Sequence, residues 1–290
     1  MLTTTDETSR MIRLENFPSR HVAPRHVDIW LPPGYESEPD RRYPVLYMHD
    51  GQNCFVDEDA GFGVAWQVQN VLAQMIAAGQ TQPAIIVGIW SIDQWRLVDY
   101  RPARPFSYLS AGARARVLAG MGGPPRADGY LAFIVDELKP LIDARCRTRP
   151  GRAHTFTMGS SMGGLISLYA LCEYPDVFGG AACVSTHWPA VEGVITPYLR
   201  DRLPDPATHR LYFDQGTVTI DNLYRPAQSL VDEAMVAAGY TAGMNWLSRV
   251  YPGAGHCEAD WHERVHIPLR FLLGQDEALV RDAPRGGRNH

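Results

Sequence analysis

The feature that most constrains the fold is a strand-turn-helix pattern around Ser161. An apolar segment beginning at Thr155 leads into Gly159-Ser160-Ser161-Met162-Gly163, and an apolar helical stretch follows. In a Gly-x-Ser-x-Gly turn of this kind a strand ends, the chain turns sharply through the serine and a helix begins at once, so the hydroxyl is exposed above a sheet edge. Glycine on each side leaves room for the strained backbone. The pattern predicts an α/β fold, with a glycine-rich turn holding an incidental serine as the alternative.

The rest of the chain alternates strands with helices. Continuous apolar runs at 43–48 and 84–90 predict buried strands, and apolar residues at helical spacing predict a helix over 63–78 between them. Other strands are predicted at 25–31, 181–185, 211–214 and 246–251, and other helices at 226–238 and 258–273. This alternation predicts a mostly parallel central sheet covered by helices on both faces. Ligands bind such sheets beyond the carboxyl ends of the strands.

The chain of 290 residues holds no stretch with the composition of an internal linker, so we predict one α/β domain over residues 25–275. Residues 1–24 are then an N-terminal extension, and residues 276–290 a flexible C-terminal tail. Between residues 91 and 126 the periodicity fades into prolines, glycines and arginines, interspersed with aromatic residues. A segment this long without regular structure predicts a lid or a wall of the binding pocket, which its aromatic content favours over the alternative of plain disorder.

Charge and cysteine content argue against several classes of function. The net charge is −5 and the basic residues are scattered, so we predict neither a nucleic-acid partner nor a membrane partner. No apolar run reaches the length of a membrane span, and the polar N-terminus is unlike a signal peptide, which predicts a cytoplasmic protein. The five cysteines are widely spaced and odd in number, as expected of reduced thiols. We expect a small-molecule substrate, and formation of a homo-oligomer stays open.

A serine hydroxyl is a weak nucleophile at neutral pH, so Ser161 needs a general base within hydrogen-bond reach. Six histidines follow Ser161 in the chain: His187, His209, His256, His262, His266 and His290. Only His256 comes after a predicted strand, through the flexible turn 252–255, and directly before a predicted helix. That position at a strand end predicts His256 as the base.

An acid must hold the base in the correct tautomer, and in this type of fold it lies between the serine and the histidine in the chain. Asp214 stands at the end of the predicted strand 211–214, where its side chain could serve the turn instead. Asp221 lies farther along the same loop, where a side chain can reach sideways to a neighbouring loop. We therefore prefer Asp221 and keep Asp214 as the first alternative. Asp232, Glu233 and the absence of any acid are the remaining alternatives.

The reaction also needs donors for the negative oxygen of the tetrahedral intermediate. The amide of Met162, at the start of the helix, is one candidate. The second should come from the loop after the strand 43–48, from Gly51 or Gln52, with Gln52 preferred and an ordinary Asp-Gly turn as the alternative. Four ring-bearing residues are candidate substrate contacts or simple packing residues: Trp66, Tyr100, His187 and Trp188.

Four motifs occur in a characteristic order: Tyr43-Pro-Val-Leu-Tyr-Met-His-Asp-Gly-Gln-Asn53, Gly159-Ser-Ser-Met-Gly-Gly164, Asp214-Gln-Gly-Thr217 and Gly253-Ala-Gly-His256. In this order they resemble the putative-esterase family of α/β-hydrolases, which includes enterochelin esterase, esterase D and feruloyl esterase-like enzymes. The resemblance covers about residues 25–275. It implies an α/β-hydrolase fold and hydrolysis of esters without metal or organic cofactor, by Ser161, His256 and an acid at or near Asp221. Cys54, Cys257 and the insert 91–126 match nothing in the family pattern.

A rival interpretation comes from His262-Glu263-Arg264-Val265-His266, which satisfies the zinc-peptidase pattern His-Glu-x-x-His. No third ligand is apparent, and a zinc site would leave the Ser161 turn unexplained. An acyltransferase with the same catalytic residues also stays open. The sequence therefore predicts a serine carboxylic-ester hydrolase that acts through an acyl-enzyme on a small, sugar-linked or aryl-linked ester.

Overall fold

The structure, a computed structural model, describes residues 9–120, 123–191 and 193–274. Its centre is an eight-stranded sheet with the strand order β1-β2-β4-β3-β5-β6-β7-β8. The strands are β1 (Arg10–Phe17), β2 (Arg25–Leu31), β3 (Val45–His49), β4 (Ile85–Ile89), β5 (Thr155–Ser160), β6 (Gly180–Val184), β7 (Arg210–Gly216) and β8 (Trp246–Tyr251). The pairs β1–β2 and β2–β4 are antiparallel. The other six strands, β4, β3, β5, β6, β7 and β8 in sheet order, are parallel to one another. The fold is an α/β-hydrolase fold, as predicted.

The central strands are buried on both faces, which explains their continuous apolar sequences. Alternate residues of β3 point to opposite faces of the sheet. Val45 and Tyr47 belong to one hydrophobic core, while Leu46 and Met48 belong to the other. One core therefore lies on each face of the sheet, and helices pack against both cores.

Ten α-helices lie in the described residues: α1 (Val68–Ala77), α2 (Asp93–Asp99), α3 (Ala111–Ala119), α4 (Ala127–Ala132), α5 (Lys139–Arg145), α6 (Met162–Glu173), α7 (Ile195–Arg202), α8 (Arg225–Ala237), α9 (Glu258–Arg264) and α10 (His266–Leu273). A π-helical stretch, Phe133–Leu138, joins α4 to α5. The helix predicted over 258–273 is divided into α9 and α10 at Val265. Pro268 explains the division, because it has no N–H to donate to the carbonyl of Arg264.

The predicted N-terminal boundary of the domain differs from the observed elements. Strand β1 falls within the predicted N-terminal extension 1–24 and pairs with β2, Met11 opposite Trp30. Its mixed sequence suits an edge strand with exposed side chains, and Arg13 on it binds Asp28 of β2 with a shortest distance of 2.6 Å. The predicted tail 276–290 lies outside the described residues.

The insert 91–126 contains α2, α3 and the 3-10 helix Arg104–Tyr108, so the prediction that it lacks regular structure was wrong. Its helices are short, and no residue of α3 is buried. A helix without a buried apolar stripe gives no helical periodicity in the sequence. No helix of the described residues is long and apolar enough to cross a membrane.

Candidate active site

Ser161 occupies the sharp turn between β5 and α6. Its backbone has φ of 57° and ψ of −121°, a conformation that is strained for a residue with a Cβ atom. A Cβ atom at position 159 would lie 2.8 Å from the carbonyl carbon of Gly163, so this turn requires glycine there. The Ser161 N–H donates to the carbonyl of Val184 on β6 at 2.9 Å. The strained turn is therefore tied to the neighbouring strand.

His256 and Asp221 are in direct contact. The Nδ1 atom of His256 lies 2.6 Å from Oδ1 of Asp221. His256 follows β8 through the turn 252–255, and Asp221 lies in the 3-10 helix Thr219–Leu223 after β7. The backbone N–H of His256 also donates to Oγ1 of Thr219 at 2.8 Å, which holds the two loops together.

A chain of contacts connects Ser161 with His256. The N–H of His187 donates to the carbonyl of Ser161 at 3.1 Å, and Nδ1 of His187 lies 2.7 Å from the hydroxyl of Tyr224. The Tyr224 ring then contacts the His256 ring edge to face, with centroids 5.8 Å apart. The loops after β5, β6, β7 and β8 thus meet at the carboxyl edge of the sheet.

The Asp221 carboxylate is buried and fully hydrogen-bonded. Besides His256, it accepts bonds at Oδ2 from the Ser185 hydroxyl at 2.6 Å and from the Gly216 N–H at 2.7 Å. Burial by itself raises the pKa of Asp221, but the bonds from His256, Ser185 and Gly216 outweigh it and lower the pKa overall. The acid is therefore ionised at neutral pH and oriented toward the imidazole.

Asp214, the alternative acid, has a different set of partners. Its carboxylate binds Arg264, with Oδ2 3.1 Å from Nε, and it accepts a bond from the Tyr212 hydroxyl at 2.8 Å. The Ser185 N–H donates to its Oδ1 at 3.1 Å. Asp214 thus neutralises a buried arginine, whereas Asp221 contacts the histidine. Of the remoter alternatives, Asp232 accepts bonds from Gln228 and Ser248 instead, and Glu233 is exposed on α8.

The loop 50–54 after β3, which we call the oxyanion loop after its predicted role, lies against the Ser161 turn. Asp50 has a left-handed φ of 57°, and the 3-10 helix Gly51–Asn53 follows it. A Cβ atom at Gly51 would lie 2.5 Å from the carbonyl carbon of Gly88, so only glycine permits this approach to β4. The Gln52 side chain makes two hydrogen bonds with Ser91. The predicted donation to the negative oxygen of the intermediate therefore concerns the backbone N–H of Gln52. Met162 is the first residue of α6, where helical N–H groups have no partner within the helix.

The insert 91–126 holds the oxyanion loop in place. Arg96 on α2 binds Asp50 through two bonds, at 2.8 and 2.7 Å, and the Asp50 N–H donates to the Tyr100 hydroxyl at 3.1 Å. Burial tends to raise the pKa of Asp50, but the charge and hydrogen bonds of Arg96 lower it overall. Arg96 was not among the predicted site residues, although an arginine within the predicted pocket wall was a visible signal.

His49, at the end of β3, is buried between Tyr130 and Thr157. Its Nδ1 atom lies 2.8 Å from the Tyr130 hydroxyl and its Nε2 atom 3.0 Å from Oγ1 of Thr157. Burial lowers the pKa of His49 to about 3, with the charge of Arg96 acting in the same direction. His49 is therefore neutral and supports the oxyanion loop from below.

Three of the four candidate substrate contacts are almost fully buried: Tyr100 is 0%, Trp188 1% and Trp66 4% exposed. Trp188 Nε1 donates to Gln228, and the Trp66 ring packs against Trp261. Their contacts are those of packed core residues. His187 alone stays partly exposed beside Ser161.

The residues of the zinc-peptidase pattern point to different surroundings. His262 belongs to α9, and its Nδ1–H donates to the Trp66 carbonyl at 2.7 Å, while His266 begins α10. In the described part of the chain, no three His, Cys, Asp or Glu residues are arranged to hold a metal ion. All five cysteines are free thiols, Cys54 buried in the oxyanion loop and Cys257 exposed.

Three residues that the sequence did not point to lie near Asp221. Ser185 bonds its carboxylate, and Trp261 and Arg264 both bond the Ser185 hydroxyl. Ser185 follows β6 directly and so occupies a strand end, which was the available signal. Arg264 is buried on α9 beside the apolar residues Trp261 and Val265. A charged residue within an apolar helical stripe indicates a buried ion pair, but not its partner.

Comparisons with known proteins identify the family to which this chain belongs. The family model described as "Putative esterase" matches residues 21–266. The protein YbbA of Bacillus subtilis, described as uncharacterized, is 26% identical over 265 residues, covering 88% of this chain and 95% of YbbA. An endo-1,4-beta-xylanase/feruloyl esterase of Xylanibacter ruminicola is 24% identical over 219 residues, covering 74% of this chain but only 25% of that protein.

Solved structures show the same fold. A ferulic acid esterase superposes with a TM-score of 0.67 at 20% identity, covering 91% of this chain and 98% of that one. The enterobactin esterase FES of Shigella flexneri, solved in the presence of 2,3-dihydroxy-N-benzoyl-glycine, has a TM-score of 0.62 at 20% identity and covers 91% of this chain and 59% of its own. At such identities the likeness establishes the fold.

Proposed function

Since this chain belongs to the putative esterase family and is therefore a carboxylic ester hydrolase, we propose that it cleaves its ester through an acyl-enzyme formed on Ser161. The observation that supports this proposal most directly is the 2.6 Å contact between His256 Nδ1 and Asp221 Oδ1. A carboxylate on Nδ1 leaves Nε2 unprotonated, and an unprotonated Nε2 is what a general base needs. The strained turn at Ser161 supplies the exposed nucleophile.

In the proposed reaction His256 takes the proton of Ser161 as the serine oxygen attacks the carbonyl carbon of the ester. The backbone amides of Met162 and Gln52 donate to the negative oxygen of the tetrahedral intermediate. His256 then gives its proton to the departing alcohol, and the acyl group stays on Ser161. His256 next deprotonates a water molecule, which attacks the carbonyl carbon of the acyl-enzyme. The bond from that carbon to the Ser161 oxygen then breaks, the serine oxygen takes the proton back from His256, and the acid is released.

Asp221 stabilises the protonated form of His256 during both steps, since its lowered pKa keeps it ionised. The Arg96–Asp50 ion pair keeps the oxyanion loop in the conformation that the intermediate needs. His187 is the proposed substrate contact, because it is partly exposed and bonded to the Ser161 carbonyl. Trp66, Tyr100 and Trp188 then support the pocket from behind.

The similar proteins named ferulic acid esterase and enterobactin esterase favour an ester of an aromatic acid as the first substrate to test. The experiment measures hydrolysis of methyl ferulate and of a short p-nitrophenyl ester series by the wild type, Ser161→Ala and Ser160→Ala. Ser160 is the matched control, since it is the adjacent serine at the end of β5 and has no role in the mechanism. Turnover by the wild type and by Ser160→Ala, with none by Ser161→Ala, supports the proposal.

Three further readouts sharpen this test. A chelator should leave the hydrolysis rate unchanged. Loss of activity in the presence of the chelator would instead favour the zinc hypothesis on His262 and His266. A fluorophosphonate should add one adduct per chain, at Ser161, in the mass spectrum. Product analysis of the p-nitrophenyl ester reactions with added methanol separates hydrolysis from acyl transfer, because a transferase would form the methyl ester even when methanol is dilute.

A further inference from the structure

A fully buried serine connects the proposed acid with a buried arginine. The hydroxyl of Ser185 lies 2.6 Å from Oδ2 of Asp221, 3.0 Å from Nε1 of Trp261 and 2.9 Å from Nη2 of Arg264. Ser185 itself has a left-handed φ of 41° and no exposed surface. A strained, buried serine with three side-chain partners is held for a specific contact.

The chemistry of the partners fixes the direction of these bonds. An indole N–H and a guanidinium are donors without any acceptor, so Trp261 and Arg264 must donate to the Ser185 oxygen. The only hydroxyl proton of Ser185 is thus left for Asp221. A hydroxyl that accepts a bond from a cation is also a stronger donor, because hydrogen bonds in a chain polarise one another.

Asp214 completes the arrangement by holding Arg264. Both oxygens of its carboxylate lie near the guanidinium, Oδ2 at 3.1 Å from Nε and Oδ1 at 3.3 Å from Nη2. The pair is buried, with the Arg264 side chain 5% and the Asp214 side chain 0% exposed. The ion pair is therefore shielded from water and presents one N–H toward Ser185.

Trp261 connects the same group to the base. Its ring lies edge to face against the His256 ring, with centroids 4.9 Å apart, while its Nε1–H donates to Ser185. One side chain thus packs against the imidazole and bonds the serine that contacts the acid.

We propose that Ser185, held by Trp261 and Arg264, is a positioning residue that orients the Asp221 carboxylate toward His256. This inference rests on the proposed function of Ser161, His256 and Asp221. Ser185 touches no reacting atom and acts only through Asp221. Without its hydroxyl, Oδ2 of Asp221 keeps only the bond from the Gly216 N–H, so the carboxylate is held less rigidly opposite the imidazole.

The test compares Ser185→Ala and Ser185→Gly, which delete the same hydroxyl. Only glycine relieves the left-handed backbone, so the two variants differ in stability but not in the missing bond. Ser248→Ala is the matched control, because the Ser248 hydroxyl also donates to a carboxylate, that of Asp232, away from the site. Unfolding midpoints, kcat, KM and the pH profile of kcat/KM are measured for each variant with the p-nitrophenyl ester that the wild type hydrolyses best.

We expect both Ser185 variants to lose about tenfold in kcat with little change in KM, since a small misorientation of a catalytic group has such effects. Without the Ser185 bond, more negative charge on Asp221 is available to the protonated base. The inactivating protonation therefore occurs at higher pH, and the acidic limb of kcat/KM moves upward by about half a pH unit. Ser248→Ala should retain the wild-type profile.

The other titratable or charged groups around Asp221 and His256 are unchanged in these variants: His187, Tyr224, Glu258, Asp260, Arg264 and Asp214. Arg264 provides a second test through its charge. Arg264→Lys keeps the positive charge and should keep the acidic limb near the wild-type position, whereas Arg264→Met should move it upward.

The outcomes separate two kinds of failure. If Ser161→Ala hydrolyses the ester as fast as the wild type, the proposed function is wrong, and the role of Ser185 falls with it. If Ser161→Ala is inactive but both Ser185 variants keep the wild-type kcat and acidic limb, only the positioning role is overturned. A lower unfolding midpoint without a change in either kinetic quantity also overturns that role, since it would show a purely structural serine.

Discussion

The two candidate acids should give opposite phenotypes when each is replaced by asparagine. Both substitutions are isosteric and remove one negative charge, so each serves as the control for the other. Asp221 contacts His256 at 2.6 Å, whereas Asp214 pairs with the buried Arg264. We therefore expect Asp221→Asn to abolish catalysis in a folded protein, and Asp214→Asn to destabilise a protein that still works.

The magnitude for Asp221→Asn follows from its partners. Oδ2 accepts bonds from the Ser185 hydroxyl and the Gly216 N–H, so the amide oxygen of the new asparagine must take that position. Its NH2 group then faces Nδ1 of His256 and forces the imidazole proton onto Nε2. A protonated Nε2 can no longer accept the proton of Ser161. A wrong tautomer costs about 10⁴-fold in kcat, or roughly 5 kcal/mol of activation free energy. Stability should change by less than about 2 kcal/mol.

For Asp214→Asn the cost falls on the folded state. The guanidinium of Arg264 would remain buried without its counterion, and breaking a buried ion pair from one side costs about 3–5 kcal/mol. For a chain of this length that lowers the melting temperature by about 5–8 °C. At 25 °C we expect kcat to stay within about tenfold of the wild type, because Asp221 still contacts His256.

The assay combines kcat from p-nitrophenyl ester hydrolysis at 25 °C with the free energy of unfolding from denaturant titration. The reasoning is refuted if Asp214→Asn loses a thousandfold in kcat while Asp221→Asn stays active. It is also refuted if Asp221→Asn keeps kcat within tenfold, since the tautomer argument permits no such result.

Three further predictions concern the surroundings of the site. Gly51→Ala should cost about 1–3 kcal/mol of stability and at least tenfold in kcat, since its Cβ would lie 2.5 Å from the carbonyl carbon of Gly88. Gly61→Ala is the neutral control in the same assays, because the nearest atom to its Cβ would be Oδ1 of Asn53 at 3.8 Å. The pKa of His49 is lowered from 6.5 to about 3, so burying the neutral ring stabilises the fold fully above pH 6.5 and less as the pH falls. Between pH 6.5 and 5 the free energy of unfolding should drop by about 2 kcal/mol in denaturant titrations, and the drop should be smaller in His49→Asn. Arg96→Gln should lower kcat by about a hundredfold or less through the oxyanion loop, with Arg96→Lys nearer to the wild type, and equal kcat for all three proteins would show that the Asp50 ion pair does not shape that loop.

Much of the fold and the sharp turn at Ser161 could be predicted from the sequence because their signals are local. The strands β2 and β8 begin and end where alternation and turn residues predict, and the glycines around Ser161 indicate a turn that only small neighbours permit. The histidine after β8 was also recognisable, since a strand, a flexible turn and a helix follow one another directly. These features depend on residues within about ten positions of each other.

The partners of Asp221, the short helices of the insert and the strand within the predicted extension were decided by tertiary structure. Ser185 is 36 residues from Asp221 and 79 residues from Arg264, and the three meet only because β6 lies beside β7 and α9 packs against both loops. Arg96 likewise reaches Asp50 from 46 residues away. Hydrogen bonds between such residues depend on the order of strands in the sheet, and no local periodicity or spacing encodes that order.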